Sequence, residues 1–239
     1  MTPAGILTAL PAEARTLLGR RPLRGPPVDT VLPCGPHRLL VCGMGLDPAA
    51  AGAQALLRAG ARSLVSWGCA GAIDPALRPG TLVLPAQVIA ESGTYATDPG
   101  WRGRIASAAG GREPVDAGPL LSGRAVLLDR RSRQQARDRS GASAIDMESA
   151  AVGAAAQEAG VPFLVVRAIA DPATHDLPAF LPAITDAYGR PRLGRLARAL
   201  LSEPSALAGL LRLQRAFGRA LATLRWVAAV AQRELGEPS

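Results

Sequence analysis

Residues 162–171 read PFLVVRAIAD. Apart from Arg167, the run is apolar on successive positions up to Ala170, and it stops at Asp171. A strand with one wet face alternates apolar and polar residues. A run without that alternation reads as a strand buried on both faces, the kind found in parallel sheets covered by helices on either side. Working outward, residues 63–67 (SLVSW) form a second such stretch and are followed at once by Gly68-Cys69-Ala70-Gly71. Short apolar runs at 5–10, 38–42 and 81–90 are predicted strands. Pro11 opens a helical pattern containing Glu13 and Leu17, and residues 48–59 and 144–160, rich in small apolar side chains, are predicted helices. Residues 20–27 (RRPLRGPP) read as a loop from their Pro and Gly content, and 91–118 as a long polar stretch. Strands alternating with helices imply βαβ units. The predicted fold class is therefore α/β: a single three-layer domain over 1–185 with a mainly parallel, twisted central sheet flanked by helices, and a basic amphipathic helical extension over 186–239 packed on it. In such sheets ligands bind beyond the carboxyl ends of the strands, which puts residues 68–71 and Asp171 at one rim.

Bulk properties narrow the class. The chain has 239 residues, enough for a sizeable core, and its 48% hydrophobic and 19% charged content is that of a globular protein. Aromatic residues make up only 3%, which leaves the core to Ala, Leu and Val. All 27 basic residues are Arg, and the net charge of +8 permits an anionic partner without establishing one. Cys34, Cys42 and Cys69 are odd in number and form no CxxC pair, which argues against a disulfide framework or a zinc site and for a reducing compartment. The N-terminal MTPAGILTALPAEAR lacks a charged leader and meets an acid at Glu13, unlike a signal peptide. No apolar run reaches the roughly 18 residues of a membrane span. The expectation is a cytoplasmic protein without a metal and without a nucleic-acid partner.

Beyond residue 178 the texture changes. Residues 190–239 hold nine Arg against three Glu, with Leu and Ala between. On a helical wheel over 207–233, Leu207, Leu210, Leu211, Phe217, Leu221 and Leu224 share one face, while Arg212, Arg215, Arg219 and Arg233 gather on another with Trp226 among them. Such a helix either packs on the domain core or meets lipid or a partner helix.

Several polar residues stand where chemistry needs them. Glu13 follows the first strand and opens the first helix, whose N-terminus favours a charged carboxylate. Gly43-Met44-Gly45-Leu46-Asp47-Pro48 begins like a dinucleotide fingerprint, but Pro48 occupies the third Gly position, which discounts nicotinamide and flavin. The turn is either a tight strand-to-helix connection or a backbone amide cradle. The small residues at 68–71 let a ligand approach the backbone, and Cys69 reads as packing, with no activating His or Lys nearby in sequence. Asp146-Met147-Glu148-Ser149 opens the 144–160 helix. Asp146 is there a candidate N-cap, and Glu148 a carboxylate able to accept two hydrogen bonds from adjacent ribose hydroxyls, with Met147 against the flat sugar. Asp171, at the end of an apolar strand, is either a turn residue or a partly desolvated acid holding its proton near neutral pH.

The order of these features resembles the nucleoside phosphorylase family, and most closely the methylthioadenosine/S-adenosylhomocysteine nucleosidases. The resemblance runs over 5–171 and is carried by GILTALPAEA (5–14), WGCAG (67–71), SGRAVL (122–127), AIDMESAA (144–151) and VVRAIAD (165–171). It implies that Asp171 protonates the purine at N7 and that Glu13 orients or activates the attacking water. Met147 and Glu148 would then hold the ribose and Val126 and Leu127 line the base pocket, with Gly45, Gly68 and Cys69 cradling the nucleophile, water or phosphate. It implies no cofactor, with inorganic phosphate a co-substrate only in the phosphorolytic alternative, and a homodimer. This chain departs from the family at two places. The Ser that precedes the catalytic Asp in the nucleosidases is Ala170 here, and no Arg precedes the GxxG stretch, as it does in the phosphorylases. The second departure favours water, with Arg38 or Arg167 left as phosphate-holding alternatives. The basic tail makes the whole chain resemble the hopanoid-associated phosphorylase branch, which implies removal of adenine from adenosylhopane, a lipid-linked adenine nucleoside. It also implies peripheral contact with the inner face of the membrane through residues 204–233. The alternatives are a soluble methylthioadenosine/S-adenosylhomocysteine nucleosidase of salvage and a membrane-associated binding protein with a vestigial site.

Overall fold

The computed structural model describes residues 3–19, 28–110, 115–231 and 235. The loop expected over 20–27 and Arg233 lie outside them. The chain runs β1 (Ala4–Thr8), α1 (Pro11–Leu18), β2 (Leu32–Cys34), β3 (His37–Val41), α2 (Leu46–Arg58) and β4 (Ser63–Ala72). It continues through β5 (Leu82–Val83), β6 (Gln87–Ala90), β7 (Gly93–Ala96), α3 (Pro99–Ala108), β8 (Val115–Asp116) and β9 (Leu120–Ser122). The last elements are α4 (Arg130–Ser140), β10 (Ala144–Asp146), α5 (Ser149–Ala159), β11 (Phe163–Asp171), a 3-10 turn at Leu181–Ala183, α6 (Leu193–Ser202) and α7 (Ala206–Val230).

The centre of the sheet is parallel, in the order β3-β1-β4-β11, and antiparallel pairs flank it: β2 on β3, β5 on β11, β7 on β6. Beyond its parallel half, β4 also pairs antiparallel with β10, which leads through parallel β9 to β6. The two stretches read as doubly buried strands are the central pair, and alternate residues of β11 enter opposite core layers. Phe163, Val165 and Ile169 pack with α2 and α5, while Leu164, Val166 and Ala168 pack with α1, α3 and α7. These are the three layers expected. Arg167 shares the parity of Val165 and so faces the α5 side.

Four local expectations change. β4 does not end at Trp67 but continues through 68–71 to Ala72, because strands on both sides, β11 and β10, supply ladder partners there. The 81–90 strand breaks into β5 and β6 around Pro85, which has no N–H to give a ladder. The polar stretch 91–118 contains β7, α3 and β8, with Asp98 capping α3 by accepting the Trp101 N–H at 2.7 Å. The 144–160 helix divides into β10 and α5, since residues 144–146 are drawn into the sheet against β9 and β4.

The tail also differs in face. α7 buries Ala216, Ala220, Leu224 and Val227 against β11 and its neighbours, whereas Leu207 and Leu211, assigned to the same apolar face on the wheel, are exposed. The wheel weights Leu over Ala. The close helix–sheet approach selects the small residues. α6 buries no residue, and Leu193 and Leu201 are 73% and 84% exposed.

Candidate active site

The carboxyl ends of β1, β4 and β11 and the β10–α5 turn surround a cavity of about 250 Å³. Glu13, Met147, Glu148, Asp171, Val126 and Leu127 all line it, as does Cys69. Side chains scattered over more than 150 positions are thus brought together.

Glu13 is the third residue of α1 and only 2% exposed. Its Oε2 accepts the N–H groups of Ala9 at 3.1 Å and Leu10 at 2.9 Å, and its Oε1 accepts that of Cys69 at 2.8 Å. Burial pushes its pKa up, against the lowering pull of Arg167 and these three amides. Gly68 makes room for it: a Cβ there would lie 2.6 Å from Glu13 Oε1 and 2.4 Å from Arg167 Nη1.

Glu148 occupies the N-cap position of α5 rather than its first turn. Its Oε1 accepts the N–H of Gly45 at 3.1 Å, and its Oε2 lies 3.4 Å from Arg167 Nη2. Burial raises its pKa, with Asp146 and Glu13 adding to the rise against Arg167. Asp146, expected as a candidate N-cap, is therefore not the cap. It ends β10 and pairs with Arg167 at 2.6 Å, and its Oδ1 accepts the Ser149 N–H at 3.3 Å. Arg167 also donates to Ser66 Oγ at 2.8 Å and Ser149 Oγ at 3.2 Å. Burial disfavours the guanidinium charge, but Asp146, Glu148 and Glu13 outweigh it and hold Arg167 above its ordinary value.

These contacts correct two readings. Gly45, Gly68 and Cys69 do not form an amide cradle for an anion, because the Gly45 and Cys69 amides are spent on Glu148 and Glu13, and Gly68 contributes space. Arg167 is committed to two carboxylates, and Arg38 lies opposite Gly5 at the far end of the sheet, so neither stands ready to take phosphate. Burial, with Glu13 adding, pushes the Cys69 thiol well up, which suits a packing residue.

Asp171 ends β11 in register with Gly71 of β4 and is 14% exposed. Burial raises its pKa, opposed by Arg133 and His175. One Asp171 oxygen pairs with Arg133, a residue that the sequence reading missed. Arg133 sits on α4, in RRSRQQARDRS, and is the buried residue of that helix. A single buried Arg among exposed ones leaves no local signal. The capping Asp129 and Gly141 could have marked the helix, though not its buried face. Chemically, the cavity offers three carboxyl groups whose pKa values burial raises, Asp171 paired with Arg133, and Glu13 and Glu148 held by backbone amides near Arg167. That set can protonate a leaving group while stabilising positive charge on the group left behind. Among the described residues no group of His, Cys, Asp and Glu is arranged to hold a metal ion.

Comparison with known proteins agrees with this architecture. A sequence profile described as the phosphorylase superfamily matches residues 3–202. A 5'-methylthioadenosine/S-adenosylhomocysteine nucleosidase of Mycobacterium tuberculosis is 27% identical, over 59% of this chain and 72% of the relative. Among solved structures, the corresponding nucleosidase of Neisseria meningitidis, in complex with methylthio-immucillin-A, superposes with a TM-score of 0.70 at 16% identity, covering 98% of this chain and 100% of that one. Futalosine hydrolase of Helicobacter pylori superposes with a TM-score of 0.65 at 17% identity, covering 95% and 97%.

Proposed function

Because this chain belongs to the phosphorylase superfamily and is an enzyme of N-glycosyl bond cleavage, we propose that it releases adenine from a lipid-linked adenine nucleoside, adenosylhopane, with water as the nucleophile. The observation that carries the cleavage chemistry is the cavity shared by Asp171, Glu13 and Glu148. Asp171 donates its proton to N7 of the purine, so that adenine departs as a neutral base. The ribose becomes oxocarbenium-like, and the negative charge nearby is more strongly attracted to it in the transition state than to the substrate. Glu13 orients the water, Met147 and Glu148 hold the sugar, and Val126 and Leu127 line the base pocket. Water is favoured over phosphate because the amides of Gly45 and Cys69 and the charge of Arg167 already serve carboxylates.

Helix α7 supports the lipid-linked reading. Leu213 and Phe217 line the cavity, and Leu207 and Leu211 continue outward on the same helix into solvent. A second cavity of about 550 Å³ adjoins at Asp171, Leu177 and Leu213 and is bordered by Arg78, Arg212, Arg215 and Arg219. Exposed leucines beside arginines suit a surface that lies on anionic headgroups. The contact proposed is peripheral, at the inner face; among the described residues no helix is long and apolar enough to cross a membrane. The protein acts as a homodimer in this proposal, within the hopanoid-associated branch.

The deciding experiment offers adenosylhopane and methylthioadenosine side by side, with and without inorganic phosphate, and weighs the sugar product. We expect the free sugar in both conditions and faster turnover of the lipid nucleoside. A sugar 1-phosphate as sole product would overturn hydrolysis. Turnover of methylthioadenosine alone would establish the salvage reading, which the mycobacterial relative favours. No adenine from either would leave a vestigial site.

A further inference from the structure

We infer that Arg133 is the positioning residue of the acid: it restricts the transferable proton of Asp171 to a single oxygen, the Oδ1. The inference rests on the reading of Asp171 as proton donor. A guanidinium has five N–H donors and accepts nothing. In Arg133 all five are engaged. Nε and one Nη2 hydrogen go to the Leu127 carbonyl at 3.1 and 2.9 Å. The Nη1 hydrogens go to the carbonyls of Ala72 and Pro172, each at 3.2 Å. The remaining Nη2 hydrogen goes to Asp171 Oδ2. The residue is 2% exposed, so no water competes for these bonds.

The consequences follow from donor counting. Oδ2 faces a group that can only donate, so it must accept, and the proton of a neutral Asp171 resides on Oδ1. Asp171 lines the cavity, and Arg133 is the sole hydrogen-bond partner of its carboxyl group among the described residues. The residue before it is Ala170, which has no hydroxyl to orient the carboxyl group. Arg133 does that work from another element. Through Ala72 and Pro172 it is pinned to the ends of β4 and β11, which sets the carboxyl plane. Through Leu127 it ties the acid to the segment proposed to line the base pocket. Its charge opposes the burial that raises the Asp171 pKa.

The test uses Arg133→Met and Arg133→Lys in the full chain, with kcat and kcat/KM for adenine release followed across pH and the Asp171 carboxyl titrated directly by isotope-edited infrared spectroscopy. A protonated Asp171 is the active form, so activity falls on the alkaline side. Removing the neighbouring charge raises the Asp171 pKa, and in the Met variant the alkaline limb should move up by about one pH unit or more. Its plateau kcat should fall by about 10–100-fold from lost orientation. The Lys variant restores the limb, because charge is kept, but not kcat, because a point charge cannot reproduce the five-bond fork. An infrared titration and a limb that both stay in place would overturn the inference, as would full kcat in the Lys variant. Should the Met variant not fold, the Lys variant alone still decides through its kcat. A carboxyl titration that moves while the rate profile does not would instead reject Asp171 as the acid, and the pairing would stand.

Discussion

Replacing Gly68 by Ala adds one carbon at the point where β4 passes Glu13 and Arg167. The added Cβ would sit 2.6 Å from Glu13 Oε1, 2.8 Å from its Cδ and 2.4 Å from Arg167 Nη1. Ordinary contact begins near 3.4 Å, so the carboxylate must retreat by about 0.8 Å and the guanidinium by about 1 Å. Neither is the free end of a flexible chain. Glu13 is held by three backbone N–H groups, and Arg167 by Asp146, Glu148, Ser66 and Ser149. Misplacing a catalytic group by about 1 Å costs about 10²-fold in rate, and overpacking a tight site costs about 1–3 kcal/mol of stability. We expect a folded Gly68→Ala protein with a melting temperature a few degrees lower and kcat for adenine release down by about two orders of magnitude. The assay is steady-state release of adenine beside a thermal melt, repeated in Glu13→Ala and in the double variant. Residues acting on one group are not additive, so the double variant should lose far less than the product of the two single losses. A Gly68→Ala enzyme with unchanged kcat, or singles that multiply cleanly, would refute the claim that Gly68 exists to make room for Glu13.

Further outcomes can be measured with the same assays. Asp171→Asn should cost about 10²–10⁴-fold in adenine release while leaving the melt near wild type, since the amide keeps the shape but cannot donate the proton; retained turnover would reject the mechanism. Burial, with Asp146 and Glu13 adding, pushes Glu148 up to about 7 from its ordinary 4.5. Between those values the native state binds a proton that the unfolded chain has released, so the contribution of Glu148 to stability is full below pH 4.5 and is lost as pH rises to about 7. Relative to wild type, Glu148→Gln should therefore gain stability across that window, by about 3 kcal/mol at most at about 1.4 kcal/mol per unit. A stability difference that is flat in pH would contradict the assignment. Because α7 places Ala220, Leu224 and Val227 in the core, deleting the tail would unfold the protein; the lipid contact is better tested with Leu193→Glu, Leu207→Glu and Leu211→Glu together. The triple variant should bind anionic vesicles more weakly and lose activity on the lipid nucleoside alone, and an equal loss on methylthioadenosine would make those leucines structural.

Short-range pattern was legible in the chain alone. The largely apolar texture of 163–170, interrupted by Arg167, and of 63–67, interrupted by Ser66, picked out the two central strands, because a strand buried on both faces has no regular polar alternation. Their ends picked out the rim, and with it Asp171. Residues whose role depends on their immediate neighbours, such as Glu13 at the start of α1, were visible for the same reason. Tertiary structure decided everything that depends on a partner far along the chain. Only the packing of β10 against β4 and β9 turned 144–146 from helix into strand. Only the convergence of β11 with the start of α5 made Arg167 the counter-charge of Asp146 and Glu148, rather than a candidate for phosphate. Arg133 looks in sequence like its neighbours on a polar helix. It is singled out because α4 turns that one side chain under Asp171, and burial then obliges each of its donors to find an acceptor. Local periodicity fixes which face of an element is apolar, whereas the identity of a buried charge's partner is set by the three-dimensional meeting of elements that no local pattern encodes.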